Sequence, residues 1–278
     1  MYILNPNFSP FIIFYERKRE MKSFIAGIAF IVIFVLSGNV FSEENKRAET
    51  REPSQDAKDS SLEKQDNEKV QKVKYVIDFS NYSGGSVRKW LESKGLYCER
   101  AAKYYRKIEL SIQDGMLFIK TKRPVRGFLV CKDIILPEVS KVRIEWGIIK
   151  YPKDASFERG NRTQALGLYI FFGPEKLSSG YFMIPDLPYF ISLFLGEADE
   201  INIPYKGGFF HAGGRFVCVG NPELKETVIS EFDLTRAFQT YYEKEAPAIS
   251  GLCLEVDTTT TGGGGKAEAY IKRIEFLE

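Results

Sequence analysis

Between residues 74 and 276 the chain is a succession of short apolar runs separated by turn residues. In the clearest run, Lys141–Lys150, apolar side chains occupy every second position: Val142, Ile144, Trp146 and Ile148. An alternation with a period of two is typical of a strand that has one buried face. Many such runs at this spacing predict sheets stacked on one another in a sandwich.

The apolar runs predict about ten strands, from eleven candidate segments. They are expected at 74–80, 107–112, 116–121, 127–136, 141–150, 165–172, 188–196, 209–220, 226–232, 250–257 and 266–276. Asp114 and Gly115 predict a hairpin turn between the second and third of these. Segment 165–172 is apolar at successive positions, which favours a central strand covered on both faces.

Two helices are expected to interrupt the strands. One is short, at 86–93, and the other begins after Asp233, whose side chain can cap its first turn. Apolar residues then recur at helical spacing, and they predict core packing: Leu234, Ala237, Phe238, Tyr241 and Tyr242. Because strands and helices do not alternate regularly, we predict an all-β fold, an antiparallel β-sandwich of the jelly-roll type.

Residues 21–42 have the order of a secretory signal peptide: a basic start, an apolar run at 24–36, and small residues before a cleavage site after Ser42. The apolar run is short for a membrane span of about 20 residues, and an uncleaved anchor is the alternative. Asn39 stands where a lipoprotein needs its acylated cysteine. The signal is complete without residues 1–20, so we expect these to be a spurious extension upstream of a start at Met21.

Residues 43–72 contain no aromatic residue and are rich in charge. Such a stretch cannot bury enough apolar surface to offset chain entropy, so we predict a disordered linker, with a solvated helix as the alternative. Residues 73–278 are then one β-sandwich domain. The signal segment predicts a periplasmic or secreted location.

The domain contains four cysteines and one histidine: Cys98, Cys131, Cys218, Cys253 and His211. The cysteines allow three disulfide connectivities, or they are buried free thiols. One histidine disfavours zinc and leaves histidine-based catalysis dependent on that residue. A net charge of +2, without a basic run interleaved with aromatics, argues against nucleic acid as a partner.

The glycines at 262–265, followed by Lys266, pose the question of a phosphate-binding loop. That loop requires a glycine where Thr260 stands and a hydroxyl where Ala267 stands. The residues that follow alternate as in a strand. We therefore interpret 258–265 as a flexible hairpin connection between the last two strands.

Five segments in order resemble a bacterial family known only as a domain of unknown function: 142–154, 165–173, 188–196, 227–238 and 248–276. The resemblance spans roughly 107–276. It implies a secreted or periplasmic jelly-roll sandwich, galactose-binding-like in shape, and it implies no particular reaction.

This chain departs from the family pattern at several positions. Asp257 and Thr261 match an Asp-x-Asp-x-Thr turn, whereas Thr259 replaces its second aspartate. The family's acidic pair and arginine are replaced at Arg162-Thr163 and Gly167, and a tryptophan is absent near Leu195.

Sugar-binding sandwiches stack sugar faces on exposed aromatic side chains, and a few polar groups fix the orientation. Segment 173–215 is rich in aromatics, and glycines at 207, 208, 213 and 214 give it a permissive backbone. The candidate ligand-binding residues are Tyr181, Tyr189, Tyr205, Phe209, His211 and Arg215, with Phe182 and Phe210 beside them. A loop packed onto the sandwich is the alternative.

Calcium is the only cofactor that the residues suggest. Asp257 with nearby threonine hydroxyls is one candidate site, and the acidic stretch at 197–200 is another. For the acidic stretch a solvated turn is the favoured interpretation. Otherwise we expect no cofactor.

No spacing of carboxylates demands a catalytic pair. The sequence therefore favours a non-catalytic binding module for carbohydrate or a cell-envelope partner. A secreted polysaccharide-processing enzyme, hydrolase or lyase, is the first alternative, and a structural envelope protein without a ligand is the second. Membrane association is expected only through an uncleaved signal segment.

Overall fold

The computed structural model describes residues 71–131 and 134–278, which form two β-sheets packed face to face. The extension 1–20, the signal segment 21–42 and nearly all of the linker 43–72 lie outside the described residues, so these assignments stay predictions. All strands and helices named below belong to the described part.

The first sheet contains six strands of the described chain: β1 Val73–Asp78, β3 Ile108–Gln113, β4 Met116–Thr121, β6 Lys141–Lys150, β11 Thr227–Asp233 and β13 Glu268–Leu277. Their order is β11-β6-β13-β4-β3, and every pairing is antiparallel. β13 pairs with β6 along one edge. Its other edge pairs first with β4 and then with β1.

The second sheet contains seven strands of the described chain: β2 Leu96–Arg100, β5 Arg126–Cys131, β7 Gln164–Leu177, β8 Leu187–Phe194, β9 Pro204–Tyr205, β10 Gly214–Cys218 and β12 Ile249–Asp257. Their order is β2-β5-β12-β7-β8-β10-β9. β8 and β10 run parallel, whereas the other pairings are antiparallel. The chain between Phe194 and Gly214 is long enough for the crossover that a parallel pair requires.

Two helices and one 3₁₀ turn occur in the described part: α1 Val87–Ser93, α2 Leu234–Tyr242 and the turn Ala101–Lys103. Asp233 caps α2, because its Oδ1 accepts a hydrogen bond from the backbone N–H of Arg236 at 2.8 Å. The ring of Phe238 on α2 contacts the rings of Phe172 and Tyr189. The apolar side of α2 therefore covers one end of the core.

The main core lies between the sheets and draws on both of them. Trp146, Ile144 and Phe276 of the first sheet are buried there with Leu168, Ile170 and Leu254 of the second. Trp146 also donates a hydrogen bond from Nε1 to Ser230 Oγ at 3.1 Å. The inward-facing residues alternate along most of each strand, and register shifts interrupt the pairing of β12 with β7 and of β13 with β6.

These observations confirm the predicted all-β sandwich with a late amphipathic helix, and β6 has the predicted bounds. The interpretation of 258–265 as a hairpin is wrong, because β12 and β13 lie in different sheets. The segment crosses from one sheet to the other. β2 and β9 were not predicted, since both are short and lack a run of apolar residues.

All four cysteines are buried free thiols in this structure. Among the described residues, neither helix has the length and apolar character that a membrane span requires.

Candidate ligand-binding site

The second sheet has an outer face that turns away from the main core. Because side chains alternate along a strand, Leu168 and Ile170 point into the sandwich while Tyr169 and Phe171 point outward. Neighbouring strands add further outward residues at matching register. A second apolar cluster on this face comprises Phe128, Val130, Tyr169, Phe171, Phe190 and Cys253, with Leu187, Phe210 and Phe216 packed against it.

The aromatic rings on this face contact one another closely. Tyr169 lies 5.3 Å from Phe190 and 5.7 Å from Phe216 between ring centroids, and the second pair meets edge to face. Phe210 meets Phe190 edge to face at 6.0 Å. Such ring contacts contribute stability beyond that expected from the apolar area they bury. The face is therefore a well-packed apolar surface, which forms the floor of the site.

Loops rise around this floor and enclose a cavity of about 510 Å³. One wall is Ile184 and Pro185 of the β7–β8 connection, and another is the stretch 207–210 before β10. Gly207 lies directly against the Phe216 ring, where a Cβ atom would come 2.7 Å from the ring. A glycine at this position therefore lets the loop close over the floor. Residues of the stretches 160–164 and 257–260 complete the lining.

A cluster of charged groups on β5 and β12 also lines the cavity. Arg126 Nε lies 2.7 Å from Glu255 Oε1 and 2.8 Å from Asp257 Oδ2. Its N–H is not aligned with either oxygen, so the contact is an ion pair and not a well-formed hydrogen bond. Glu255 and Asp257 stand on the same face of β12, and β5 places Arg126 directly opposite Asp257.

Glu255 is held from several sides. Its Oε2 accepts a hydrogen bond from Gln164 Nε2 at 3.0 Å and another from the Tyr169 hydroxyl. The residue is only 2% exposed. Burial raises the pKa of the Glu255 carboxyl, and Arg126 partly opposes that rise.

The neighbouring groups are also perturbed. The Glu255 carboxylate raises the pKa of the Arg126 guanidinium, which therefore stays charged. Burial raises the pKa of the Tyr169 hydroxyl well above its usual range. Tyr169 accordingly acts as a neutral hydrogen-bond donor at physiological pH and not as a base.

Gln164 owes its position to a glycine on the same strand. A Cβ atom at Gly167 would collide with the Gln164 side-chain amide, so only glycine leaves space for that amide on the floor. Gln164 is 3% exposed, and its Oε1 has no hydrogen-bond partner within the described residues. A buried acceptor without a donor costs free energy of about 1–3 kcal/mol, and the residue that carries this one lines the cavity.

Two further arginines line the cavity, Arg100 and Arg162. Arg100 ends β2 with φ 52° and ψ −123°, a backbone conformation that favours glycine. Its guanidinium lies 5.7 Å from the Phe128 ring centroid. Residues held in such conformations cost about 1–3 kcal/mol each and concentrate at functional sites. Phe210 also has a positive φ, of 57°. It lies in the stretch 207–210, the covering loop, which closes over the floor.

Arg162 is exposed at the rim, near Gly208 of the covering loop. It makes no hydrogen bond or ion pair with any residue of 71–131 or 134–278. The threonines beside it have partners: Thr259 donates from Oγ1 to Asp257 Oδ1 at 2.6 Å, and Thr260 donates from Oγ1 to Asn161 Oδ1 at 2.7 Å.

Of the six predicted ligand-binding residues, only Phe209 lines this cavity. Tyr189 instead points toward α2, where it packs on Phe238 and Tyr242. Tyr205 lies behind the site, and its hydroxyl donates a hydrogen bond to Glu158 Oε1 at 2.9 Å. These two residues are thus placed by packing and hydrogen bonding away from the cavity.

The other three predicted residues also lie apart from the cavity. The exposed Tyr181 meets Phe209 edge to face at 4.9 Å and, with Phe182, borders a shallow depression of the 178–186 loop. His211 is exposed, and its carbonyl accepts a hydrogen bond from Arg215 Nη1. Arg215 also covers the Tyr242 ring, so it connects the loop to α2.

The two calcium candidates, Asp257 and the stretch 197–200, do not have the surroundings that the sequence suggested. Arg126 occupies one oxygen of Asp257 and Thr259 the other, which disfavours a cation there. No group of three or more histidine, cysteine, aspartate or glutamate side chains in the described ranges is arranged to hold a metal. The solvated-turn interpretation of 197–200 is wrong for Asp199, which is buried and accepts hydrogen bonds from Ser156 Oγ and the Phe157 N–H.

Sequence reasoning missed most of the site. The residues it did not select are Arg100, Arg126, Phe128, Gln164, Tyr169, Phe171, Phe190, Phe216 and Glu255. The sequence of β12 did contain one indication of the site. Cys253, Glu255 and Asp257 share one face there, and two carboxylates at a covered position require a cationic partner.

No protein-family model matches this chain, and no curated protein matches it significantly. The resemblance to a family of unknown function therefore stays a prediction. Among solved structures, a low-affinity xylan-binding module, CBM86, from the gut symbiont Roseburia intestinalis aligns with 73% of this chain and 95% of its own. The two are 11% identical with a TM-score of 0.31. A likeness this low assigns neither fold nor ligand.

The buried Glu255 carboxyl gives stability a distinctive pH dependence. Its pKa is raised in the folded state above the ordinary 4.5, so the folded protein retains this proton as pH rises and the unfolded chain does not. Its contribution is thus fully present below about pH 4.5 and is lost as pH rises through the folded-state pKa. We expect Glu255→Gln, measured by urea unfolding, to gain stability relative to wild type as pH increases.

Glu231→Gln is the matched control, because Lys141 and Arg143 lower the pKa of Glu231. Its contribution is present above the unfolded pKa and lost as pH falls, so this variant should lose stability relative to wild type as pH increases. The same slope in both variants would contradict the assignment for Glu255.

The backbone of Arg100 offers a second test. Arg100→Gly and Arg100→Ala both remove the guanidinium, but only glycine relaxes the positive φ. Glycine relieves the strain of the positive φ, but it also has more freedom than alanine in the unfolded chain, which opposes that gain. As the net result, we expect the glycine variant to be more stable than the alanine variant by about 1 kcal/mol in urea unfolding. An alanine variant as stable as the glycine variant would show that Arg100 is not strained.

Proposed function

We propose that this protein binds carbohydrate, without catalysing a reaction, in the cavity on the outer face of its second sheet. The observation that carries the proposal is the shape and chemistry of that cavity. A floor of aromatic rings passes directly into a cluster of buried charged and amide side chains. A sugar ring has the matching character, with an apolar C–H face and hydroxyl groups around its edge.

The accessible rings are those that a sugar would touch first. Phe209 is 38% exposed, and Phe210 and Phe216 are partly exposed, whereas Phe171 and Phe190 lie beneath them. Ligand sites of this kind combine apolar walls with a small number of placed polar groups. Here those groups are Gln164, Arg162 and the ion-paired carboxylates.

The same geometry argues against the enzyme alternative. Glycosidases use two carboxylates that flank the bond to be broken, and Glu255 with Asp257 is the one such pair bordering the cavity. Arg126 occupies the space between their oxygens, where a sugar would have to lie. Tyr169 is a poor base because its pKa is raised. His211 does not line the cavity.

Export is part of the proposal. The segment 21–42 has the order of a signal peptide, and polysaccharide ligands are met outside the cytoplasm. A cell-envelope component that presents a sugar is a partner of the same chemistry. N-terminal sequencing of the mature protein tests the export claim, with Glu43 expected as the first residue.

A panel of plant and bacterial oligosaccharides, neutral and acidic, tests the function itself. We expect measurable binding by calorimetry together with no release of reducing ends or unsaturated products. Product release that is abolished by Glu255→Gln would favour the enzyme, and no binding across the panel would contradict the proposal.

A matched pair of substitutions locates the site. We expect Phe209→Ala to lower affinity for any bound oligosaccharide at least about tenfold, or 1.4 kcal/mol, because Phe209 forms the cavity wall. Phe182→Ala, which truncates a side chain that is 93% exposed on the 178–186 loop, should leave affinity unchanged. The reverse result would place binding on the outer loop.

A further inference from the structure

We propose that the sugar recognised here is acidic, a uronic acid residue whose carboxylate binds Arg162 at the rim of the cavity while a hydroxyl binds Gln164 Oε1. This inference rests on the proposed carbohydrate-binding function and names its ligand class. It is carried by two side chains of residues that line one cavity: Arg162, which has no polar partner in the described residues, and Gln164, whose buried Oε1 has no donor there.

The first group is the buried amide of Gln164. Its nitrogen is used, because Nε2 donates to Glu255 Oε2 at 3.0 Å. That hydrogen bond fixes the orientation of the amide and leaves Oε1 as an acceptor with no donor in the described residues. An acceptor requires an O–H or N–H group from a ligand, and the ring hydroxyl of a sugar supplies one.

The second group is the Arg162 guanidinium. An arginine presents donors in a fixed fork that matches a carboxylate in two parallel hydrogen bonds. Arg162 sits only two residues before Gln164 on the same chain segment, so both groups approach one end of the cavity. Asp154 and Glu158 on the same loop are not paired with Arg162.

The charge at this end of the cavity favours an anion. The lining contains three arginines, Arg100, Arg126 and Arg162, against two carboxylates, Glu255 and Asp257. Arg126 is already paired with both carboxylates. Arg162 has no polar partner in the described residues, and a single carboxylate on the ligand would pair with it.

Dimensions also fit a sugar acid better than a small free anion. The cavity of about 510 Å³ has room for more than one sugar ring, and most of its floor is aromatic. A free inorganic anion would leave that floor uncovered. A uronate places its ring over the aromatics and its carboxylate toward the rim.

The test compares trigalacturonic acid with its fully methyl-esterified form, together with glucuronoxylan and neutral xylan oligosaccharides. Each acidic and neutral pair shares a backbone and differs in charge. Calorimetry on the full-length protein should show the acid binding at least tenfold more tightly than the ester, with the difference shrinking as salt is raised.

Arg162→Gln should lower affinity for the acid about tenfold and leave affinity for the ester unchanged. Arg159→Gln is the control, because Arg159 is an exposed arginine of the same loop that does not line the cavity. Both positions are exposed, so folding is not at risk, and circular dichroism checks it.

The outcomes separate the two proposals. If acid and ester bind equally, or if Arg162→Gln weakens both alike, the acidic-sugar inference is wrong and carbohydrate binding stands. If neither acidic nor neutral oligosaccharides bind the wild-type protein, the proposed function fails, and the inference fails with it.

Discussion

The ion pair of Arg126 with Glu255 and Asp257 determines how the outer face of the second sheet can be built. Two carboxylates on one face of β12 are buried, and the desolvation of an unpaired carboxylate would oppose folding strongly. β5 offsets part of this cost because it sets Arg126 opposite Asp257. The pairing of β5 with β12 is therefore needed for electrostatic reasons as well as for apolar packing.

The rest of the site follows from that fixed cluster. Tyr169 and Gln164 donate to Glu255, so their side chains are held at the boundary between the charged end and the aromatic floor. Gln164 lines the cavity, and its buried Oε1 is left without a donor in the described residues. A pre-organised site of this kind loses little conformational entropy when a ligand binds. Its polar specificity thus depends on strand register, and its apolar surface combines the outward-facing rings of the sheet with Phe209 and Phe210 of the loop before β10.

The fold was largely predictable from the sequence, whereas the site was not. Period-two alternation predicted β6, and the residues after Asp233 predicted α2, because those signals are local. Segment 188–196 is apolar at successive positions, so alternation could not show that Tyr189 points inward and Phe190 outward. The contact of Arg126 with Glu255 depends on sheet order, which joins residues far apart in sequence. Of the six residues selected from aromatic content near glycines, Phe209 lines the cavity and the other five do not.

A crystal structure of the full-length protein with trigalacturonic acid would show directly where the sugar lies. We expect one sugar ring against Phe209 and Phe216, its carboxylate on Arg162 and a hydroxyl donating to Gln164 Oε1. A sugar seated on the exposed loop at Tyr181–Phe182, with the cavity empty, would contradict it.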